Sequence, residues 1–429
     1  MSKLALLGGP KAVTGSFPAW PIWDDDDRKS VLGVLESGKW WMYGYEETEL
    51  GGDGAAPQRS QVEQFEEEFA ALHRVRHGLA VTNGSVALDI CMRAIDLQAG
   101  DEVITTPYTF FATSACILNA NALPVYVDID RETYNLDPRR IEEAITDRTR
   151  AILPVDFSGE MADMEAICGI AEKCGLRVIE DAAQAQGVSL RGGRYAGSFG
   201  DGATFSFQMS KCLTAGEGGL ILTDSDEIAE AAWSLRHCGR VRGGVWYEHH
   251  RLAWNSRMTE WQGAVLRSQL RKLPGQNQRR MANVRYFLDR LSGLDGLTPV
   301  KLHPDGETHS HYLVMLRYDA TKWGGLPRAR FLEALNAEGV PATAGYAFCS
   351  FDNPVFQRMD LGSPRSPYMS GRSNVVDYRA FAERCPNAVR ACREEAVWLM
   401  HSLFLGEKAQ VDMILNAIWK VRESAGALL

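Results

Sequence analysis

The sequence predicts an α/β fold, with a large, mostly parallel seven-stranded sheet flanked by helices and a smaller C-terminal α+β unit. Three observations carry that expectation. From His77 onward, short β-branched runs alternate with helical stretches, the pattern of a sheet covered on both faces. Two further apolar runs, Ala203–Phe207 and Gly219–Thr223, raise the strand count from five to seven. A long helical stretch then leads into a second, separate set of strand and helix signals.

Residues 24–38 open with four aspartates and continue with Val31, Leu32 and Leu35, a helix with acid at its positive end. The run Asp24–Asp27 reads as a solvated face. After Trp40-Trp41, the stretch Gly44–Ser60 is rich in Gly, Glu and Gln and has no apolar period, so it reads as a loop. Val62, Phe65, Phe69 and Leu72 are spaced for one buried helical face. Strands are expected at Leu79–Thr82, Glu102–Thr105, Pro124–Asp128, Ala151–Val155 and Arg177–Glu180. Helices are expected between them at Val86–Ile95, Ser114–Asn119, Pro138–Ile145 and Met164–Cys174. Residues 258–292, with Leu266, Leu270 and Leu273, form a connecting helix; the second unit has a strand at Tyr312–Leu316 and a helix near 408–423. The expected organisation is an arm and loop (1–60), a large domain (61–257), the connecting helix (258–295) and a small domain (296–429).

Composition narrows the function. A net charge of −9 with interspersed signs offers neither a basic stripe for nucleic acid nor a polybasic membrane anchor. The small cluster Arg236, Arg240, Arg242 beside glycines suits an anionic small molecule. Nine cysteines with no Cys-x-x-Cys pair point to reduced thiols rather than a disulfide framework. His249-His250 and His309-x-His311 lack a third ligand at a workable offset, so no metal is expected. There is no signal-peptide pattern and no apolar run of membrane-spanning length, so a soluble, cytoplasmic protein is expected.

Ligands of open α/β sheets sit at the carboxyl ends of strands, and chemistry-bearing residues follow several of these. Asn83-Gly84-Ser85 opens a helix; it is either turn chemistry or a phosphate cradle of free amides. Pro107-Tyr108-Thr109-Phe110-Phe111 offers aromatic rings for the core or for stacking on a ligand. Asp181 ends an apolar strand, where burial is costly unless a cation partners it. Lys211 follows Phe205-Ser206-Phe207 and precedes Gly216-Glu217-Gly218-Gly219. A lysine that can condense with an aldehyde, and an acid that can hold a protonated pyridine nitrogen, together point to pyridoxal 5′-phosphate. Ser206 offers a hydroxyl to the same phosphate.

The string Phe-Ser-Phe-Gln-x-x-Lys-x-Leu-Thr-Ala-Gly-Glu-Gly-Gly, with Glu180-Asp181-Ala182-Ala183-Gln184 and Thr82-Asn83-Gly84-Ser85 before it, resembles the DegT/StrS-type aminotransferases. Phe17-Pro18-Ala19-Trp20-Pro21, Gly38-Lys39-Trp40-Trp41, Arg236-His237-Cys238-Gly239-Arg240 and Arg384-Cys385-Pro386-Asn387 most resemble the 3-amino-5-hydroxybenzoate (AHBA) synthases. The glutamine:scyllo-inosose aminotransferases are the near competitor. The resemblance implies the type I aminotransferase fold, a homodimer, and transamination of a keto-cyclitol or keto-sugar in antibiotic biosynthesis, with L-glutamine or L-glutamate as donor. Dehydration and aromatisation follow in an AHBA synthase. It also implies that Lys211 is the Schiff-base lysine and Asp181 the partner of the pyridinium nitrogen. Gln184 then lies near the cofactor's phenolic oxygen, Phe110 stacks on its ring, and Gly84, Ser85 and Ser206 contact its phosphate. Asn255 reaches the phosphate in the neighbouring subunit. Tyr108, Arg240 and Arg242 are candidate substrate contacts. Two departures stand out: Gln186 where many relatives carry His, and a longer Tyr43–Ser60 segment. Nucleotide-keto-sugar amination and a non-catalytic regulator that keeps the cofactor are the alternatives.

Overall fold

A computed structural model describes residues 3–43, 59–245, 247–358 and 376–429. Most of the expected Gly44–Ser60 loop lies outside the described residues. The sheet predicted from strand–helix alternation is present with seven strands. They are β1 (His77–Val81), β2 (Glu102–Thr105), β3 (Leu123–Tyr126), β4 (Thr149–Leu153), β5 (Arg177–Asp181), β7 (Gly202–Ser206) and β8 (Gly219–Thr223), in the order β1-β8-β7-β5-β4-β2-β3. Contacts from β7 through β5, β4 and β2 to β3 are parallel; β8 runs antiparallel to both β1 and β7. Their near-continuous burial explains why they read as apolar runs rather than as alternating strands. A short ribbon pairs β6 (Ser189–Leu190) with β10 (Gly306–Thr308).

The helices follow their apolar spacing. α1 (Asp25–Ser37) is capped by Asp24 and Asp27, each side chain accepting from the other's end of the first turn. The expected solvated acidic face is corrected at Asp27, which is buried and pairs with Lys272 while accepting from Gln269 Nε2 at 2.8 Å. α2 (Gln61–His73) buries Val62, Phe65 and Phe69. α3 (Gly84–Ala94), α4 (Ala112–Asn119), α5 (Met164–Cys174) and α6 (Asp226–Arg236) cover the sheet. The helix expected over Pro138–Ile145 is instead two 3₁₀ turns, Pro138–Arg140 and Glu142–Ala144. Its single buried side chain, Ile141, gives so short a segment too little packing to propagate an α-helix.

α7 (Glu260–Leu291) continues unbroken through Pro274 and buries Leu266, Leu270 and Leu273. It leads to an antiparallel sheet, β12-β13-β11-β9, built from β9 (Leu297–Pro299), β11 (Leu313–Tyr318), β12 (Ala342–Thr343) and β13 (Ala396–Met400). α8 (Arg328–Ala337) and the helix Lys408–Glu423 share one core with this sheet, including Val314, Leu316, Phe331, Leu335, Ile414 and Ile418. The N-terminal segment joins the same core through Leu4. Buried Glu338 holds it there, accepting from Ala5 N and Ala12 N at 2.8 Å each and pairing with Lys420 at 2.8 Å. An aromatic cluster including Tyr108, Tyr126, Phe157, Phe351 and Phe381 joins residues around the large sheet to the C-terminal unit. No helix among the described residues is long and apolar enough to cross a membrane.

One buried polar pair lies within this framework. Asp156 Oδ1 accepts from Ala162 N at 2.9 Å, and Glu180 Oε1 from Gly197 N at 2.7 Å. Their other oxygens, Asp156 Oδ2 and Glu180 Oε2, are buried without a donor from elsewhere. The two carboxyls hydrogen-bond to each other, which requires a shared proton. Burial raises both above the ordinary carboxylate range, Glu180 to about 7, and Asp156 is pushed further by the Glu180 charge. Because both folded pKa values are raised, protonation of the pair stabilises the fold most at low pH, and the part due to Glu180 is lost as pH rises through about 7. Glu180→Gln supplies a permanent donor to Asp156. Its urea midpoint is therefore expected to fall less than the parent's between about pH 5 and pH 8, and equal slopes would exclude a raised Glu180 pKa.

Candidate functional site

Strand register builds the first half of the site. Val81 of β1 pairs with Gly219 of β8, and Gly219 pairs with Ser206 of β7, so three strand ends share one row. Just past Val81 the chain enters α3, with Asn83 Oδ1 capping Val86 N at 3.0 Å. A Cβ at Gly84 would stand 2.6 Å from Ser206 Cβ, and one at Gly219 would stand 2.3 Å from the Asn83 carbonyl oxygen. Only glycine permits this approach. Ser85 is exposed in the first turn of α3, next in the chain to Gly84, whose Cβ position lies 3.0 Å from the Ser206 hydroxyl oxygen. The arrangement is an anion cradle of first-turn amides, a helix dipole and a hydroxyl.

The second half starts at Asp181, paired across β5 and β7 with Thr204. Its carboxylate is 4% exposed, accepts from Thr113 Oγ1 at 2.9 Å, and takes a second bond from Ala183 N at 3.2 Å. Thr113 is itself bonded at 2.9 Å to Thr109, in the loop before α4. Burial raises the Asp181 pKa; the Thr113 hydroxyl, the Ala183 amide and the charge of Lys211 each pull it down without cancelling the rise. Lys211 and Asp181 therefore share one electrostatic environment.

Lys211 sits on a compact turn after β7. Phe207 N donates to Gly218 O at 2.8 Å, Met209 N to Gly216 O at 2.9 Å, and Lys211 N to Gln208 O at 2.8 Å. Gly216 adopts φ +83°, the left-handed conformation glycine takes without strain. Lys211 Nζ lies 4.4 Å from the centroid of the Tyr312 ring. Gln186, the departure noted in the sequence, donates to Ser206 O at 2.7 Å and Ala183 O at 3.0 Å. It thereby ties the Asp181 turn to the Ser206 strand.

The remaining candidates are placed as follows. Gln184 is buried, accepting from Ser158 N at 2.8 Å through its side chain and from Ser310 Oγ at 2.8 Å through its carbonyl. Phe110 is 62% exposed just before α4, and Asn255 is exposed, paired by a single bridge with His237. Three residues sit differently from their expected roles. Tyr108, a candidate substrate contact, is fully buried among Tyr134, Phe157 and Tyr346 and receives Trp398 Nε1 at 3.2 Å. Arg236 is not free for a ligand, because it is buried against Glu66 and donates to Ala80 O at 3.0 Å. Arg242 pairs with Glu230 at 2.9 Å over the Trp233 ring. It lines a cleft with His77 and Gly78, at the opposite end of β1 from Gly84. Arg240 follows α6 on the same segment. His309 pairs with Glu160 at 2.7 Å, and His311 is buried, with its pKa lowered to about 3 by burial and by the charges of His309 and Arg280.

Thr113 and Tyr312 touch the two central groups yet carried no signal as single residues.

Comparison with known proteins fits this geometry. A family model described as the DegT/DnrJ/EryC1/StrS aminotransferase family matches residues 24–368. A protein of Streptoalloteichus tenebrarius, provisionally named L-glutamine:3-amino-2,3-dideoxy-scyllo-inosose aminotransferase, is 38% identical over 100% of this chain and 99% of its own length. The 3-amino-5-hydroxybenzoate synthase of Amycolatopsis mediterranei is 36% identical over 94% of this chain and 97% of its own. A crystal structure of AHBA synthase superposes with a TM-score of 0.80 at 34% identity, covering 94% of this chain and 99% of that one. With its strand order, its lysine turn and its buried acid, the chain belongs to the DegT/DnrJ/EryC1/StrS aminotransferase family.

Proposed function

We propose that this aminotransferase uses pyridoxal 5′-phosphate to transfer an amino group from L-glutamine or L-glutamate to a ketone on a polyhydroxylated six-membered ring. The observation that carries the reading is that the charge of Lys211 acts on buried Asp181, whose strand pairs with the strand that ends at the Gly84–Ser206 cradle. The residues fit the cofactor. The cradle suits a dianionic phosphate, and a carboxyl with few donors of its own suits a pyridinium nitrogen. When bound, the cofactor supplies an electron sink for the carbanion formed at the donor's α-carbon.

The chain's own groups do the rest. The first-turn amides at Gly84 and Ser85, with the Ser206 hydroxyl, hold the phosphate. Thr113 and the Ala183 amide fix the Asp181 carboxylate, which would hold the protonated ring nitrogen. Lys211 Nζ takes the proton from the donor's α-carbon and returns it on the other side of the transfer. Phe110 supplies a stacking ring, and Gln184 flanks the phenolic oxygen. Asn255 lies in a segment whose Val245, Tyr247, Leu252 and Trp254 are exposed apolar side chains; a second copy of the chain covers them and receives Asn255 at its phosphate site.

The relative that acts on a scyllo-inosose matches at 38% identity over the whole chain, which supports a keto-cyclitol acceptor. Amination followed by loss of water from an aminodehydroshikimate is the second reading, supported by the likeness to AHBA synthases in sequence and fold. Mass analysis of products from scyllo-inosose, 2-deoxy-scyllo-inosose, aminodehydroshikimate and a nucleotide keto-sugar separates them. An added amine on an inosose is expected, and an aromatic product selects the second reading. Lys211→Ala is expected to lose the visible absorbance of the lysine-bound cofactor and to drop turnover by at least about 10²-fold. Asp181→Asn is expected to retain phosphate-held cofactor but lose most of the rate; near-parental rate would remove Asp181 from its role.

A further inference from the structure

The motif Phe17-Pro18-Ala19-Trp20-Pro21 and two rings of the C-terminal unit converge on the lysine turn, at some distance in sequence from one another. Trp20 Nε1 donates to Met209 O at 2.8 Å. His401 Nε2 is 3.0 Å from Ser210 O, and Tyr312 Oη is 2.9 Å from Ser210 Oγ. Lys211 Nζ rests over the Tyr312 face. Three consecutive residues of the turn are thus each held by a ring from outside the large sheet. The rings also hold one another: Trp20 meets His401 edge-on at 4.6 Å, and Tyr312 lies nearly parallel to His401 at 6.1 Å.

His401 is 1% exposed, and burial with the charges of Arg280 and Lys211 lowers its pKa to about 3. It is therefore neutral, with Nε2–H as the donor to Ser210 O, and its buried Nδ1 has no partner. Behind the turn, Arg280 Nε donates to Ser310 O at 2.8 Å, the carbonyl that the Cys212 thiol also approaches at 3.7 Å. The backbone turn alone leaves the long Lys211 side chain free to rotate. A proton-transferring amine loses rate steeply for displacements of about 1 Å.

We infer that Trp20, His401 and Tyr312 form a clasp that positions the Lys211 amine, with the Tyr312 face holding its ammonium whenever the amine is not covalently engaged. These are positioning residues, and the inference rests on Lys211 being the reacting amine. It assigns a task to the N-terminal segment: holding the lysine turn through Met209.

Four variants test it in the full-length protein. Trp20→Phe keeps a ring against His401 but loses the N–H to Met209. Tyr312→Phe keeps the face under Lys211 but loses the hydroxyl, and Tyr312→Leu loses both. Trp20→Phe and Tyr312→Leu are expected to lower kcat by about tenfold or more with the donor KM within about twofold. They are also expected to speed hydrogen exchange at residues 208–213 before cofactor is added. Tyr312→Phe is expected to recover most of the kcat lost in Tyr312→Leu. Unchanged exchange and kcat in Trp20→Phe and Tyr312→Leu overturn the clasp, as does a kcat loss that merely tracks a lower melting temperature. The fourth variant, Lys211→Ala, separates the two readings. Turnover retained there sinks the transamination mechanism, whereas the exchange measurement reports on the clasp alone.

Discussion

A carboxylate taken out of water at the end of a central strand is the constraint around which this protein is arranged. Asp181 is nearly inaccessible, and its protein donors are one hydroxyl and one backbone amide. A buried anion so sparsely satisfied is costly, and here the nearby cation acting on it is Lys211. Burial keeps the acid's pKa raised despite those partners, so the site favours a further positive charge facing the carboxylate. A protonated pyridine ring is that charge in the proposed function. The Thr109–Thr113 relay at the start of α4 then has a clear purpose, because it orients the acid without neutralising it.

The cradle and the acid are brought together by backbone proximity more than by side-chain chemistry. The row Val81–Gly219–Ser206 crosses three strands, and the close approaches at Gly84 and Gly219 let a helix start descend onto a strand end. A side chain at either glycine would push the α3 amides away from the Ser206 hydroxyl. Gln186 reinforces the same join from below, bonding one carbonyl from the Asp181 turn and one from the Ser206 strand. A histidine at this position could not make both amide-type donations from one nitrogen, so the departure from the family pattern has a structural consequence inside the site.

Local patterns made the strands, most helices and the order of the central motifs legible. The sheet's two-sided burial produced apolar runs of strand length, and Lys211, Asp181 and Gly84 lay at strand ends where ligands bind. Non-local pairings were not legible. Arg236 sits beside glycines and reads as an anion contact, yet Glu66, 170 positions away, occupies its guanidinium. Tyr108 reads as a site aromatic but faces Tyr134, Phe157, Tyr346 and Trp398, rings from four distant segments. Tyr312, His401 and Trp20 reach the lysine turn from opposite ends of the chain, a convergence that periodicity cannot encode. Pro138–Ile145 misled for a local reason: charged residues and a proline imitate a helix start, but one buried side chain does not sustain it.

Two adjacent acids show how strand geometry assigns chemistry. Glu180 and Asp181 are consecutive on β5, so the pleat sends them to opposite faces of the sheet. Glu180 meets Asp156, and the two carboxyls share a proton; Asp181 is under the influence of the Lys211 charge. The charge on Asp181 adds to the rise of the Asp156 pKa. If the Asp156–Glu180 pair carried two full negative charges, the local field would hold a proton on Asp181 more tightly and blunt it as a partner for a cation. A shared proton limits the charge on that face, so the anion under the lysine's charge is Asp181 itself. The buried pair is thus part of what makes the site's electrostatics selective, although it touches neither the lysine nor the cradle.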